Sequence, residues 1–255
     1  MDIDRISIGL PGSTAHGTLR QLAPQIEAAG FRGLWLNDTP DGDSLAGLEI
    51  AAIATTRLAL ATGVIPLDRR PANEIAGRLA GLPADRLTIG IGSGGPTHAL
   101  ARVAEAIEIL RPLAPVLVGA LGPKMRRLGA QHSDGVLLNW LTPATATAAV
   151  DDMRRDAAGR QVRAALYVRT IVAPEALPAL AAEAAGYQSS GSYAANFERL
   201  GIRAIDAIVD GSAPGALAGR VREYLESVDE LVLRVVTGST TLASYLRFIE
   251  AVVAA

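Results

Sequence analysis

Short runs of apolar, β-prone residues alternate along the chain with Ala-, Leu- and Arg-rich segments whose apolar positions recur at helical spacing. The runs at 6–12, 33–38, 58–65, 87–94, 115–121, 135–140, 163–172 and 230–238 read as strands. Helices are expected at about 18–29, 44–55, 71–82, 97–111, 123–132, 143–157, 214–227 and 241–254. Strands separated by helices need parallel crossovers, and a parallel sheet covered by helices has continuously apolar strands. Eight such units in 255 residues match a TIM-type (β/α)8 barrel, an α/β fold, with an open doubly wound sheet as the competing architecture. The rhythm breaks once, at about 175–210, where AAGYQSSGSYAANFERLG reads as a helical pair of small and polar residues. In a barrel this insertion leaves the C-terminal end of the seventh strand, over the mouth. It serves there as a lid, a surface decoration or a subunit interface. No linker or low-complexity tract interrupts residues 1–255, so a single domain is expected.

Composition narrows the function classes. Twenty-four basic against 26 acidic residues give a net charge of −2, which leaves no electrostatic footprint for nucleic acid. With three Phe, two Trp and five Tyr, the core must be built from Ala, Leu, Val and Ile. The absence of cysteine excludes disulfides, thiolate metal sites and thiol catalysis. The opening MDIDRISIGLPG is acidic and strand-like, unlike a signal peptide, and Gly, Pro and charges interrupt every run that approaches membrane-spanning length. A cytoplasmic protein acting on a small molecule is expected. A homodimer is the expected assembly, because dimers are the commonest oligomers.

The most informative stretch is PVLVGALGPKMRRLGAQHSDGVLLNW, 115–140. An apolar strand runs into a Gly-Pro turn, and the next helix begins with Pro123 and carries Lys124, Arg126 and Arg127 in its opening residues. Cations are electrostatically disfavoured at a helix N-terminus, so three together point to an anion docking beside free backbone N–H groups. A phosphate-bearing cofactor suits that chemistry; a solvated basic helix face is the competing account. Gly90-Ile91-Gly92-Ser93-Gly94-Gly95 resembles a dinucleotide fingerprint, but Glu105 and Glu108 beyond it fall on a helix rather than at the end of a following strand. These glycines better suit close approach of backbone to a flat ligand or an anion. His16, His98 and His132 are dispersed, so no metal site is legible, and no GxSxG elbow occurs. In a barrel the chemistry collects at the C-terminal strand ends. That singles out Asp38, the carboxylate best placed for proton transfer, and His16 after the first strand. Asp38 equally suits a helix or turn cap beside Thr39-Pro40-Asp41-Gly42.

The segments AAGFRGLWLND, LATGVIPLDRRP, LTIGIGSGG, ALGPKMRRLGAQHSDGVLLNWLTP and REYLESVDELVLRVV together resemble the luciferase-like monooxygenase superfamily, and within it the coenzyme F420-dependent oxidoreductases. The resemblance implies a bacterial-luciferase-like barrel. It implies that Gly119, Ala120, Leu121, Gly122, Pro123 and Lys124 form the turn holding a cofactor phosphate. Gly92, Ser93 and Gly94 would line the cofactor site, and Gly63-Val64 matches a non-prolyl cis peptide beneath the tricyclic ring. Asn139 and Trp140 would lie at the mouth, although plain core packing is the alternative for Trp140. The implied activity is hydride transfer between the deazaflavin of F420 and a small organic substrate, with Asp38 or His16 handling the proton. An FMN-dependent monooxygenase and a non-catalytic flavin- or deazaflavin-binding protein are the alternatives. Two departures stand out: Asn37-Asp38-Thr39 occupies the strand-two position where many members carry His or Glu, and helix 97–111 runs directly into strand five. The chain reads as a shortened member, with a more open mouth or a different partner surface expected.

Overall fold

The computed structural model describes all 255 residues. Ten strands follow in chain order: β1 (Ile6–Pro11), β2 (Gly33–Asn37), β3 (Ala59–Thr62), β4 (Ile65–Pro66), β5 (Leu87–Gly92), β6 (Val116–Gly119), β7 (Gly135–Asn139), β8 (Arg163–Ile171), β9 (Val209–Asp210) and β10 (Glu230–Val235). The helices are α1 (His16–Ala28), α2 (Ser44–Ala54), α3 (Ala72–Leu79), α4 (Ala99–Leu110), α5 (Pro123–His132), α6 (Pro143–Asp156), α7 (Leu177–Gln188), α8 (Gly191–Leu200), α9 (Ala216–Leu225) and α10 (Leu242–Val253). Strands pair in parallel in the order β10-β1-β2-β3-β5-β6-β7-β8, and β8 pairs back onto β10, closing the cylinder. The closed (β/α)8 barrel replaces the open doubly wound alternative. No helix is long and apolar enough to cross a membrane.

Each barrel strand is followed by a helix whose apolar stripe packs on the strands, giving one large core in the layer between barrel and helices. On α4 that stripe is Val103, Ala106, Ile107 and Leu110; on α10 it is Tyr245, Phe248, Ile249 and Val252. The barrel interior is a separate, smaller cluster of Trp35, Ala61, Leu117, Leu137, Ala165, Tyr167 and Val232. Its lower end is polar. The buried Glu230 carboxylate accepts from Ser7 Oγ at 2.6 Å and Trp35 Nε1 at 2.6 Å, and Arg32 and Arg163 lie at 3.2 and 3.8 Å. That network ties β10 to β1, β2 and β8 across the barrel floor.

One difference from the sequence expectation and one agreement with it bear on the site. The single strand expected over 58–65 is broken: β3 ends at Thr62, Gly63-Val64 leaves the ladder through a cis peptide bond, and β4 resumes at Ile65. The segment between β8 and β10 folds as α7 and α8, which rise at the C-terminal end of the barrel. They pack through Ala184 and Phe197 on Trp140, Ala204 and Ala207.

Candidate active site at the barrel mouth

A cavity of about 380 Å³ opens at the C-terminal ends of the strands, within the usual size of a small-molecule site. Its floor is Tyr167, whose ring meets the buried Trp35 edge to face at 6.3 Å. Glycines make room for this floor. A Cβ on Gly9 would lie 2.7 Å from the Tyr167 hydroxyl, and one on Gly63 would lie 2.9 Å from both rings. Beside the floor, Val64 projects between Gly92 and Gly119, where an added Cβ at either position would come within 2.8 Å of its methyls. The glycines that looked suited to a ligand's approach therefore seat a valine, and that valine forms an apolar part of the cavity wall.

The rim is fixed by local chemistry. Gly94, at φ 70°, turns the chain so that Gly95 N–H donates to Asp68 Oδ2 at 2.9 Å, while Arg102 donates to the carbonyls of Ser93 and Thr97. Around the cavity, Leu121 and Gly122 precede α5, whose N-cap Gly122 offers no side chain to the helix's free N–H groups. A Cβ at Gly122 would meet nothing within 4 Å, and Pro123, the first residue of α5, contributes no N–H of its own. The remaining wall is Asn139, Arg169, Tyr187, Ser192 and Tyr193. Arg169 is buried and fully engaged. It pairs with Glu183 at 2.9 Å, donates to Asn139 Oδ1, and lies over the Trp140 and Tyr187 rings at 4.1 and 4.8 Å. Burial pushes the Tyr193 phenol up, as does neighbouring Tyr187, with the Arg169 charge and the Asn139 amide acting the other way.

Most of the residues singled out in the sequence come together here. Asp38, Gly63 and Val64 line the cavity, as do Gly92, Ser93 and Gly94, the run Gly119 to Gly122, and Asn139. Four do not. His16 is exposed in the first turn of α1, which begins two residues before the expected helix and so takes His16 out of the loop that was to carry it. Pro123 and Lys124 are exposed beyond the Leu121-Gly122 turn. Trp140 is a packing residue rather than a mouth residue. It is 1% exposed, adopts φ 55°, and is covered by Tyr187 and Phe197 from the insertion.

The cation cluster also disperses. Arg127 turns outward to Asp156 at 3.0 Å, whereas Arg126 is buried, donates to the Leu121 carbonyl and faces Asp152 at 3.6 Å. Arg199 from α8 donates to the same carbonyl at 3.3 Å. Desolvation, then the nearby Arg199 charge, lowers the pKa of Arg126. Asp38 reaches the cavity lining with its carboxylate committed. Oδ1 accepts from Ser44 N–H at 2.9 Å and Ser44 Oγ at 2.8 Å, and Oδ2 faces Arg69 and Arg70 at 3.6 and 4.0 Å. The turn-capping role is the one its geometry fulfils. Its neighbour Asn37 carries the open group, a buried Oδ1 with no hydrogen-bond partner.

Sequence reasoning missed Tyr167, Arg169, Tyr187 and Tyr193. The first two had a legible signal, since Ala165, Tyr167 and Arg169 alternate along β8 and share its inward face. The tyrosines of the insertion had none, because their approach to the mouth depends on how α7 and α8 dock.

A closed parallel barrel with its cavity at the C-terminal strand ends defines the (β/α)8 class of small-molecule proteins. The chain belongs to the luciferase-like monooxygenase family, whose model matches residues 5–114 and 101–208. Among solved structures, the coenzyme F420-dependent tetrahydromethanopterin reductase of Methanopyrus kandleri superposes with a TM-score of 0.75 at 17% identity, covering 98% of both chains. An F420-dependent secondary alcohol dehydrogenase in complex with an F420-acetone adduct gives 0.74 at 14% identity, covering 97% of this chain and 98% of the other. The oxygenating constituent of 3,6-diketocamphane monooxygenase from Pseudomonas putida, in complex with FMN, gives 0.65 at 13%, covering 96% of both. A curated relative, the 5,10-methylenetetrahydromethanopterin reductase of Archaeoglobus fulgidus, is 28% identical over 44% of this chain and 46% of its own length. The chain thus spans about half the length of that relative. The family and these neighbours are oxidoreductases or monooxygenases.

Proposed function

We propose that this protein is an oxidoreductase transferring hydride between coenzyme F420 and a small organic substrate in the mouth cavity. The observation that carries the reading is one cavity bordered both by the Val64 wall and by the turn into a helix that has no side-chain cap. Val64, seated between Gly92 and Gly119, walls one end, and the Leu121-Gly122 turn leads to the free N–H groups of α5 at the other. The residues present fit a planar ring with an anionic tail. Val64, Gly92 and Gly119 would hold the ring, Asn37 Oδ1 would accept a hydrogen bond from it or from substrate, and the Gly122–Lys124 backbone would take the phosphate. When bound, the deazaflavin supplies two-electron chemistry; the chain supplies orientation and exclusion of water. A cavity of about 380 Å³ that must receive both a ring and a substrate favours a small substrate. The F420 dependence of two neighbours supports this choice of cofactor.

A second reading, an FMN-dependent monooxygenase, draws on the FMN complex among the neighbours. Titrating the protein with F420 and with FMN while following cofactor fluorescence separates the two. Tight binding of F420 is expected. Tight binding of FMN alone would overturn the leading reading, and binding of neither would overturn both.

A further inference from the structure

We infer that Tyr193, carried by the insertion, is the proton-transfer residue of the mouth cavity. The inference rests on the hydride-transfer reading and assigns a role which that reading leaves open. When a hydride adds to the carbon of a carbonyl or imine, the displaced electron pair collects on oxygen or nitrogen and needs a proton from a positioned group.

The cavity wall holds few groups able to supply it. No histidine lines the wall. Both Asp38 oxygens are taken, one by Ser44 and the other by Arg69 and Arg70. Tyr167 lies in the floor with its hydroxyl turned to the Trp35 carbonyl at 3.4 Å. Arg169 is held by Glu183 and Asn139. Tyr187 is stacked into the insertion, 5.0 Å from Trp140 and beneath the Arg169 guanidinium.

Tyr193 differs from all of these. Its ring meets Tyr187 edge to face at 4.6 Å, it borders the cavity, and the side chain that faces its hydroxyl is the Asn139 amide, which supports the phenolate rather than occupying it with a competing acid. Burial keeps the phenol protonated, while the Arg169 charge and the Asn139 amide favour the phenolate that forms for the moment of transfer. The step balances as follows. With the reduced cofactor bound, two electrons would enter the electrophilic carbon as a hydride. The π pair moves to the heteroatom, the phenolic O–H bond breaks and its proton joins that atom; the phenolate recovers a proton from water at the mouth. Alcohol or amine oxidation runs the same transfers in reverse.

The test uses the full chain with Tyr193→Phe and, as a control, Tyr187→Phe. F420 affinity should stay within about twofold of wild type in both variants, because neither hydroxyl is assigned to cofactor binding. Reduction of a panel of ketones, enones and imines should fall by about a hundredfold or more in Tyr193→Phe, the scale of general acid catalysis, and only a few-fold in Tyr187→Phe. A second readout needs no turnover. With ring-labelled tyrosine and oxidised F420 bound, the carbon resonance absent from Tyr193→Phe should shift when acetone is added, under conditions where no hydride is available for turnover. Wild-type turnover in Tyr193→Phe, or a resonance indifferent to acetone, would overturn the assignment while leaving the hydride-transfer reading standing. Failure of wild type to bind F420 would overturn that reading, and the assignment with it.

Discussion

Asn37 and Asp38 are adjacent at the end of β2, and the chain uses them in opposite ways. Asp38 spends both oxygens on the start of α2 and on Arg69 and Arg70, whereas Asn37 leaves a buried acceptor open. Asp38→Asn should therefore lower stability by about 1.5–3 kcal/mol, the scale of a hydrogen bond to a charged group, read as a shift in the urea midpoint. Cofactor affinity should hold; a loss of binding without a loss of stability would restore Asp38 to the chemistry. The glycines make a sharper case. Gly92→Ala places a Cβ 2.8 Å from Val64 Cγ2, so the valine must tilt into the cavity, and cofactor binding should weaken about tenfold. Adding Val64→Ala removes the clash and should recover part of that loss. Additive losses in the double variant would mean that Gly92 acts elsewhere. The glycine-rich loop was legible as a place of close approach, but what approaches could not be read from it, because the partner is a side chain nearly thirty residues away.

At the scale of elements, the eight strand-helix units were legible because each strand is continuously apolar and each helix carries a stripe. The break after Thr62 was not, since LALATGVI is apolar throughout and only the lost ladder pairing marks the interruption. The same limit applied to α1: a helix was expected from about residue 18, and it begins at His16. Helix ends are set by caps as much as by periodicity, and α2 shows the cost of one. Asp43 caps it by accepting from Ala46 N–H at 3.1 Å and also receives Arg70 and Arg78. Burial alone would raise its pKa, but those hydrogen bonds outweigh it and hold the carboxyl well below its ordinary 3.8. A depressed carboxylate stabilises the fold above its unfolded value and loses that contribution as the pH falls through its folded one. The stability difference between wild type and Asp43→Asn should thus be constant from about pH 5 upward and narrow only below 3.8. A gap that widened in acid would contradict this.

For the whole molecule, the mouth is a joint product of barrel and insertion. Strand ends supply floor, valine wall and helix turn; α7 and α8 supply Tyr187, Ser192 and Tyr193. Trp140 fastens one to the other, buried between the end of β7 and Phe197. Trp140→Ala should cost about 3–5 kcal/mol, the usual loss for a buried aromatic, concentrated in the insertion. Limited proteolysis should then cut within 177–207 at conditions where the barrel resists. Equal resistance in both proteins would show that the insertion docks without it. The sequence left Trp140 between a place at the mouth and plain core packing; which of the two it takes depends on how α7 and α8 dock, and no local pattern encodes that.

The chain contains two tryptophans. Trp35 lies beneath the cavity and Trp140 behind the wall that the insertion completes. Each is therefore an optical reporter built into a different part of the site. With Trp140→Phe, the remaining emission would follow occupancy above the floor through energy transfer to a bound deazaflavin or flavin. With Trp35→Phe, it would follow the seating of the insertion. Occupancy and closure would then be timed separately, in one cuvette, without a dye.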